Sequence, residues 1–356
     1  MRVLVALSGG VDSSVAAALA LEAGHDVVTA TMKLWAGPSD SGCCSVGDVD
    51  DARRVAAQLG VAHHVFNFSD DFDRHVVAPY VADHAAGRTP NPCVACNRHL
   101  KFDRFFRRAD QLGFDAIATG HHARVLAPVG PDGPWRLARG RDVAKDQSYV
   151  LHMLTGRQLA RLLLPVGEMT KADVRRTAET LGLRTAAKPD SQDVCFISRT
   201  GGRTAFLGAR IPLRPGVVVD RSGAVVGAVP AVELVTLGQR RGLGNPGGTL
   251  PPGERRFAVD VDVAAGVVTV GPESELLTGE VPVGAVSWTG PAPDDGTDVS
   301  VQTSAHGRPV PGRWQPTGAD GSSGRIVLAE PQRRTATGQS VVLYDGDVVL
   351  GGGTAR

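Results

Sequence analysis

Ser8-Gly9-Gly10-Val11-Asp12-Ser13-Ser14 sits directly between an apolar run, Val3-Leu4-Val5-Ala6-Leu7, and a helical one, Ser13-Ser14-Val15-Ala16-Ala17-Ala18-Leu19-Ala20-Leu21. Glycines in such a turn let backbone N–H groups approach a phosphate, and the helix start adds unpaired donors and a favourable dipole. Ser8, Ser13 and Ser14 bring hydroxyl donors. Asp12 is the discordant member, because its carboxylate repels phosphate unless Mg²⁺ lies between them. The loop has no lysine of the Walker type.

Outward from this loop the chain alternates between strand and helix. Val27 to Met32, Val61 to Phe68 and Ala116-Ile117-Ala118-Thr119 read as further strands. Helices are expected through Ala52, Val55, Ala56 and Leu59, capped by Asp48 or Asp50, and from about Asn97 to Leu112. Strands separated by helices predict a parallel sheet covered on both faces. A further helix, Thr170 to Leu181, opens with Thr170 and Asp173 at capping-box spacing. From about Arg214 the chain turns to short valine-rich strands broken by glycine and proline: Val217 to Val219, Phe257 to Val261, Val267 to Val270. Val341 to Tyr344 and Val348 to Leu350 form a hairpin about Asp345-Gly346-Asp347, and Pro291 to Gly296 is a loop. Small β domains or barrels are the expectation there.

The bulk properties exclude several classes. At 356 residues the chain is too long for one ordinary core. Its 42% hydrophobic and 21% charged content is ordinary for a globular protein. No apolar run is long enough to span a bilayer, and the N-terminal apolar run is too short for a signal peptide, so a cytoplasmic location is expected. A net charge of +1 steers no nucleic acid by itself, so any RNA contact must be local. Five cysteines, an odd number, argue against a closed disulfide framework.

Three of these cysteines stand in informative settings. Cys93 and Cys96 follow two prolines in Thr89-Pro90-Asn91-Pro92-Cys93-Val94-Ala95-Cys96-Asn97. If Asn97 caps the next helix, Cys96 sits at its entrance, where the dipole lowers a thiol pKa. Cys195 lies in a loop that ends in a strand-like step, Cys195-Phe196-Ile197. The pair is also half of a zinc pattern, but no second C-x-x-C or H-x₃-H follows at the usual spacing. Cys43 and Cys44 receive no role. Arg98, Lys101, Arg104, Arg107 and Arg108 lie on one predicted helix, with Arg98, Lys101 and Arg108 near one face.

The loop is similar to the PP-loop of ATP pyrophosphatases, and with the cysteine segments the chain resembles the tRNA-specific 2-thiouridylases from end to end. The match runs through Met32-Lys33, Gly87-Arg88-Thr89-Pro90-Asn91-Pro92, Cys96-Asn97, Lys101-Phe102 and Ala118-Thr119-Gly120-His121-His122. It continues through Lys145-Asp146-Gln147-Ser148-Tyr149, Cys195-Phe196-Ile197, Thr236-Leu237-Gly238-Gln239-Arg240, Pro331-Gln332-Arg333 and Leu350-Gly351-Gly352-Gly353.

The resemblance implies an α/β fold: a parallel-sheet PP-loop catalytic domain of the adenine nucleotide alpha hydrolase-like type over residues 1–205. A small central β-rich tRNA-binding domain follows at 206–275, then a C-terminal β-barrel at 276–356. It implies that ATP, with Mg²⁺, adenylates the C2 oxygen of the wobble uridine. Sulfur carried as a persulfide on Cys195 then replaces AMP, with Cys96 as partner thiol. ATP would be held by Ala6, Leu7, Ser8, Gly9, Gly10, Val11, Asp12, Ser13, Met32 and Gly120. The tRNA anticodon stem-loop would meet Asn91, Pro92, Cys93, His121, Lys145, Asp146, Gln147, Ser304, Ala305 and Gln339. A sulfur-donor protein or sulfide source is the implied partner, and the enzyme is expected to be a monomer without membrane contact.

The chain departs from the family pattern twice. Cys93 stands where many members carry an aspartate proposed as acid/base, so Cys93 is the third catalytic candidate, with its thiol or a water in that role. Ser304-Ala305-His306 stands where relatives often show arginine and an aromatic residue. Cys93, Cys96 and Cys195 are also a ligand set for a [4Fe–4S] cluster, the rival to persulfide chemistry. Two other functions compete: an ATP-dependent amidase or ligase of the same loop type, which needs no cysteine pair, and a nucleotide- or RNA-binding module without chemistry.

Overall fold

The computed structural model describes all residues except 36–45, 131–132, 191–193, 199–200, 245–254 and 319–320, and of Cys195 and Ser198 only the backbone. Cys43 and Cys44 lie outside the described residues. A five-stranded parallel sheet orders its strands as His63–Asn67, Asp26–Lys33, Arg2–Ala6, Ala116–Ala118 and Leu162–Leu163. Side chains alternate across it as strand geometry requires. Val3 and Val5 face one core with Val15, Val55 and Val174, whereas Leu4 faces another with Phe66, Phe72 and Phe105. Helices Val11–Glu22, Val46–Gln58 and Lys171–Thr180 supply the first core. The helical segments at 69–85 and 92–111 supply the second.

Two β units follow. The first is a four-stranded sheet ordered Phe257–Asp262, Val267–Gly271, Gly216–Val219, Val225–Val229. Its core is almost entirely valine: Val218, Val226, Val229, Val232, Val268 and Val270. In the second, strands Leu277–Trp288, Gly324–Arg333, Val310–Pro316, Asp298–Gln302, Ser340–Asp345 and Val348–Ala355 pair in that order. Leu277–Trp288 also pairs with Val348–Ala355, which closes the ring into a barrel around the buried Trp314. The expected hairpin at 341–350 and the loop at 291–296 are both present.

The barrel is joined to the first domain more closely than the sequence predicts. A hairpin of the first domain, Ala123–Leu126 with Arg136–Arg139, extends the barrel sheet through Val348↔Ala138 and Val349↔Leu137. The Tyr149 hydroxyl donates to the Ser340 carbonyl at 2.7 Å, and the Arg139 guanidinium stacks 3.7 Å from the Tyr344 ring centroid. Tyr344, Val342 and Val349 belong to the same core cluster as Leu4 and Phe66.

Tyr149 is fully buried, so Tyr149→Phe leaves the Ser340 carbonyl without its donor. Denaturant unfolding of this variant is expected to show a loss of about 1–3 kcal/mol. No measurable loss would mean that water replaces the hydroxyl and that the seam is not closed.

Candidate active site

The phosphate loop is built as its glycines demand. Gly9 has φ +76, and a Cβ there would lie 2.3 Å from the Asp48 carbonyl oxygen. Gly10 precedes helix Val11–Glu22 in an extended conformation without a side-chain cap, so the first helical N–H groups stay available to a ligand. The serines tie the loop to itself. Ser8 N donates to Ser13 Oγ at 3.1 Å, and the hydroxyls of Ser13 and Ser14 donate to the Gly10 carbonyl at 3.1 and 2.8 Å. Gly120 rides against the start of this helix, where a Cβ would lie 2.6 Å from both Asp12 C and Ser13 N.

The cations missing from the loop arrive from elsewhere in the chain. Lys171 Nζ lies 2.7 and 2.8 Å from the two Asp12 carboxylate oxygens, and His122 Nε2 lies 3.1 Å from Oδ1. Burial raises the Asp12 pKa, but the contacts from His122 and Lys171 outweigh it and hold the carboxyl below its usual value. Asp190 accepts from Lys145 and Arg175 at 2.8 Å and pairs with Lys171 at 2.9 Å. Burial opposes its ionisation as well, yet Lys145 and Lys171 bring it down to about 2. Lys188 reaches the loop from the other side: 2.9 Å to the Gly9 carbonyl, 2.7 Å to Asp48 and 2.8 Å to Asp51. Each of these lysines is matched by carboxylates. An arriving polyphosphate therefore brings excess negative charge unless a divalent cation accompanies it, and half-exposed Asp12 offers the hard oxygen such a cation takes.

The thiol helix starts earlier than expected. Asn91, not Asn97, is the cap: its Oδ1 accepts from Cys93 N at 3.1 Å and Val94 N at 3.4 Å, and Pro92 takes the first helical position. Asn97 lies inside the helix and donates to the Cys93 carbonyl at 3.0 Å. Cys93 is therefore in the first turn, and Cys96 lies one turn further in. The expected low Cys96 pKa is overturned: burial pushes this thiol up to about 11, Cys93 adds to the rise, and Lys101 offsets part of it. The strand expected at Cys195-Phe196-Ile197 is instead a helical turn, Cys195–Ser198. Phe196 packs on Trp35, Phe72, Tyr80 and Phe206. Val194, directly before Cys195, has φ +51, a strained conformation for a β-branched residue. Val194 and Cys96 both pack on the core cluster that contains Phe196.

A strap of two histidines connects the phosphate loop to the thiol helix. His122 touches Asp12, while His121 bonds Thr119 Oγ1 through Nδ1 at 2.8 Å and lies 5.8 Å from the Phe102 ring. Burial drives the His121 pKa well below its usual value, and Lys101 lowers it further, so the ring is neutral. Lys101 thus acts electrostatically on both Cys96 and His121. Among the described residues, no three His, Cys, Asp or Glu side chains converge on a metal-sized site. The third thiol of the cluster reading, on Cys195, lies outside the described side chains.

Residues 1–199 match the family described as tRNA methyl transferase HUP domain, and residues 278–355 that described as Aminomethyltransferase beta-barrel domain. The chain is 46% identical to a protein of Beutenbergia cavernae named tRNA-specific 2-thiouridylase MnmA, over 99% of this chain and 94% of that one. It is 46% identical to a protein of the same name from Mycolicibacterium smegmatis, over 99% of both chains. The like-named protein of Roseiflexus sp. is 43% identical over 99% of this chain and 98% of that one. The chain belongs to the tRNA-specific 2-thiouridylase family. Among solved structures, the U34-tRNA thiolase NcsA from Methanococcus maripaludis with its [4Fe-4S] cluster aligns at TM-score 0.37 and 18% identity, over 53% of this chain and 60% of that one. A likeness that slight carries no argument about this chain.

The remaining residues that the family pattern singles out fall into groups. Met32 is buried at the end of its strand. Gln339 of the barrel reaches the loop before Cys93, its Nε2 donating to the Thr89 carbonyl at 2.5 Å, and Thr89 N donates to Thr337 O at 2.9 Å. Gln147 is spent on the histidine strap, accepting from His122 N at 2.8 Å. The Asp146 carboxylate is buried and engaged with Arg139, Gly140 N and Ser148. Ser304 and Ala305 present their carbonyls to Gln302 Nε2. The basic helix does not present one face. Arg98 reaches Ser287 of the barrel, Lys101 serves Cys96 and His121, and Arg104 and Arg108 lie over Phe68 and Phe66. The sequence reading gave no role to Lys171, His122, Lys188 or Asp190. The one available signal was the lysine missing from the loop, together with the capping box that fixes Lys171 at a helix start.

Two outcomes follow. Gly120→Ala must displace backbone at Asp12 and Ser13, so ATP–pyrophosphate exchange should fall at least about tenfold with the fold retained by circular dichroism. Alkylation of Cys96 in the ligand-free protein, read by peptide mass, should be slow at pH 7 and rise about tenfold per pH unit up to about pH 11, because only the thiolate reacts. A plateau below pH 9 would contradict the desolvated thiol.

Proposed function

We propose that this chain replaces the C2 oxygen of the wobble uridine of tRNA with sulfur, at the expense of ATP. One observation carries the reading. The phosphate loop and a thiol helix are bridged by the Gly120-His121-His122 strap, with the segment that bears Cys195 packed on the same core as Cys96. An amide-forming ATP enzyme has no use for that second half.

In this reading, residues Ser8 to Ser13 would hold the phosphates of MgATP, Met32 and Gly120 would meet its adenosine, and Asp12 would hold the Mg²⁺. Mg²⁺ supplies charge neutralisation at the triphosphate. The extruded uridine meets Asn91, Pro92 and Cys93, with His121, the Lys145-Asp146-Gln147 segment, the Ser304-Ala305 segment and Gln339 about the anticodon loop. An anticodon uridine is single-stranded and leaves the stack without melting a duplex. The uracil O2 attacks the α-phosphorus, an O–P bond forms and pyrophosphate leaves. This turns a poor leaving group into a phosphate ester. Persulfide sulfur on Cys195 replaces AMP at C2, and Cys96 attacks the Cys195 sulfur, leaving a Cys96–Cys195 disulfide. Lys101 beside Cys96 favours the thiolate that this attack needs. The persulfide comes from a persulfide-bearing donor protein, or from sulfide that attacks Cys195 within the Cys96–Cys195 disulfide and releases the Cys96 thiol, and the enzyme works in the cytoplasm as a monomer. Among the described residues no helix is long and apolar enough to cross a membrane.

Nucleoside mass analysis of tRNA after incubation with ATP, Mg²⁺ and a sulfide source tests this. A mass gain matching oxygen replaced by sulfur is expected with the wild type, and its loss with Asp12→Ala, Cys96→Ser and Cys195→Ser. Retained activity in both cysteine variants would favour the amide-forming alternative. Stoichiometric iron and sulfide after anaerobic purification, required for turnover, would replace the persulfide route with a cluster on Cys93, Cys96 and Cys195.

A further inference from the structure

We propose that Lys171 is an internal counter-ion that bars a bare divalent cation from Asp12 and yields that position only to a cation carried by a nucleotide. The inference rests on the reading of Asp12 as the carboxylate that holds Mg²⁺, and adds an order of binding to it.

Lys171 Nζ lies 2.7 and 2.8 Å from the two Asp12 oxygens and 2.9 Å from Asp190 Oδ1. An ammonium has three protons, so these three acceptors use them all. His122 Nε2 lies 3.1 Å from Oδ1 of the same carboxylate. Both oxygens that a hard cation would take are thus engaged. The neighbouring charges offer little attraction to a further cation, because the carboxylates of Asp12, Asp142 and Asp190 are interleaved with Lys145, Lys171 and Arg175.

The backbone of Lys171 is fixed. Its N–H donates to Asp142 Oδ2 at 2.9 Å, and it opens a helix capped by Thr170 and Asp173. A cation at a helix start opposes the dipole, so local propensity does not account for a lysine here, whereas the contact with Asp12 does. Asp190 is anchored as well. Lys145 and Arg175 each donate to it at 2.8 Å, and Arg175 also donates to the carbonyls of Ala186 and Lys188 at 2.8 and 3.1 Å. The mobile element is therefore the Lys171 side chain, pivoting about Asp190.

This pivot treats the two forms of the metal differently. When Lys171 releases Asp12 to a nucleotide-borne cation, its two freed protons have phosphate oxygens to bond while the third stays on Asp190. A bare cation brings no such acceptor. Lys171 would then be left with two unpaired protons in a largely buried setting, next to a divalent charge. The site therefore admits the metal with the nucleotide and turns the metal alone away.

The test titrates Mn²⁺, which takes the same oxygen ligands as Mg²⁺, onto the full-length protein and reads bound and free metal by electron paramagnetic resonance. In the wild type, Mn²⁺ should bind at least about tenfold more weakly alone than with non-hydrolysable α,β-methylene-ATP. Lys171→Gln should tighten the binding of Mn²⁺ alone by about tenfold or more, and should weaken the metal-free analogue about threefold or more by calorimetry. A merely structural defect would weaken both. Lys171→Arg should restore the exclusion of the metal, and adding Asp12→Asn to Lys171→Gln should abolish the gained Mn²⁺ site. Equal affinity of wild type and Lys171→Gln for Mn²⁺ alone overturns the inference. Unchanged binding of Mn²⁺ with the analogue in Asp12→Asn overturns the reading of Asp12 itself, and the inference with it.

Discussion

Lys171 holding Asp12 is the contact on which the nucleotide site depends. A phosphate loop with a carboxylate and no lysine cannot attract a triphosphate by its own charge, so the compensating cation must be folded in from far along the chain. Lys171 comes 159 residues later, at the start of a capped helix whose Val174 and Ala178 share a core with Val15 and Ala16. That packing makes the ion pair a property of the fold and not of one flexible side chain. His122 bonds the same carboxylate, and its neighbour His121 reaches Phe102 on the thiol helix. The charge arrangement at the loop and the position of the helix that carries Cys93 and Cys96 are thus set by one contiguous set of contacts.

Most of the first domain was legible because its signals are local. Glycine turns, apolar alternation and the Thr170–Asp173 capping box each act over a few residues, and all appear as read. The misreadings have local causes too. Pro92 looked like an extended approach, yet proline suits the first helical position, so the cap is Asn91 in place of Asn97 and the helix carries Cys96 inside. Helix Val46–Gln58 begins before Asp48, so Asp48 and Asp50 lie inside it and not at its N-cap position, and Asp48 faces Lys188. Cys195-Phe196-Ile197 has strand-like composition, but burying Phe196 among four aromatic rings needs only one helical turn. The arginine face failed because the helix widens to i→i+5 turns between Asn97 and Arg104, which shifts the 3.6-residue register.

What was not legible is long-range pairing. Nothing in Ala123–Leu126 or Arg136–Arg139 tells that their sheet partner is Val348–Ala355. That pairing, with Tyr149 on Ser340 and Arg98 on Ser287, fixes the barrel against the domain that binds nucleotide. Gln339 then holds Thr89, two residues before the Asn91 cap. The loop that presents Asn91, Pro92 and Cys93 is therefore clamped between domains, so its geometry depends on the barrel being in place.

The high pKa of Cys96 is best understood together with Lys101. A desolvated, protonated thiol is a weak nucleophile and resists oxidation, which in the proposed reaction would keep Cys96 from reacting before the substrate is adenylated. Lys101 is the one cation among the causes of its shift, and the same lysine bears on neutral His121. These three groups share one wall, because His121 is tied through Thr119 to the strand end beside the phosphate loop. Local polarity there sets how much of the Cys96 thiol is ionised. If Cys96 is the attacking thiol of the proposed reaction, its desolvation and the nearby Lys101 together decide when it is a thiolate.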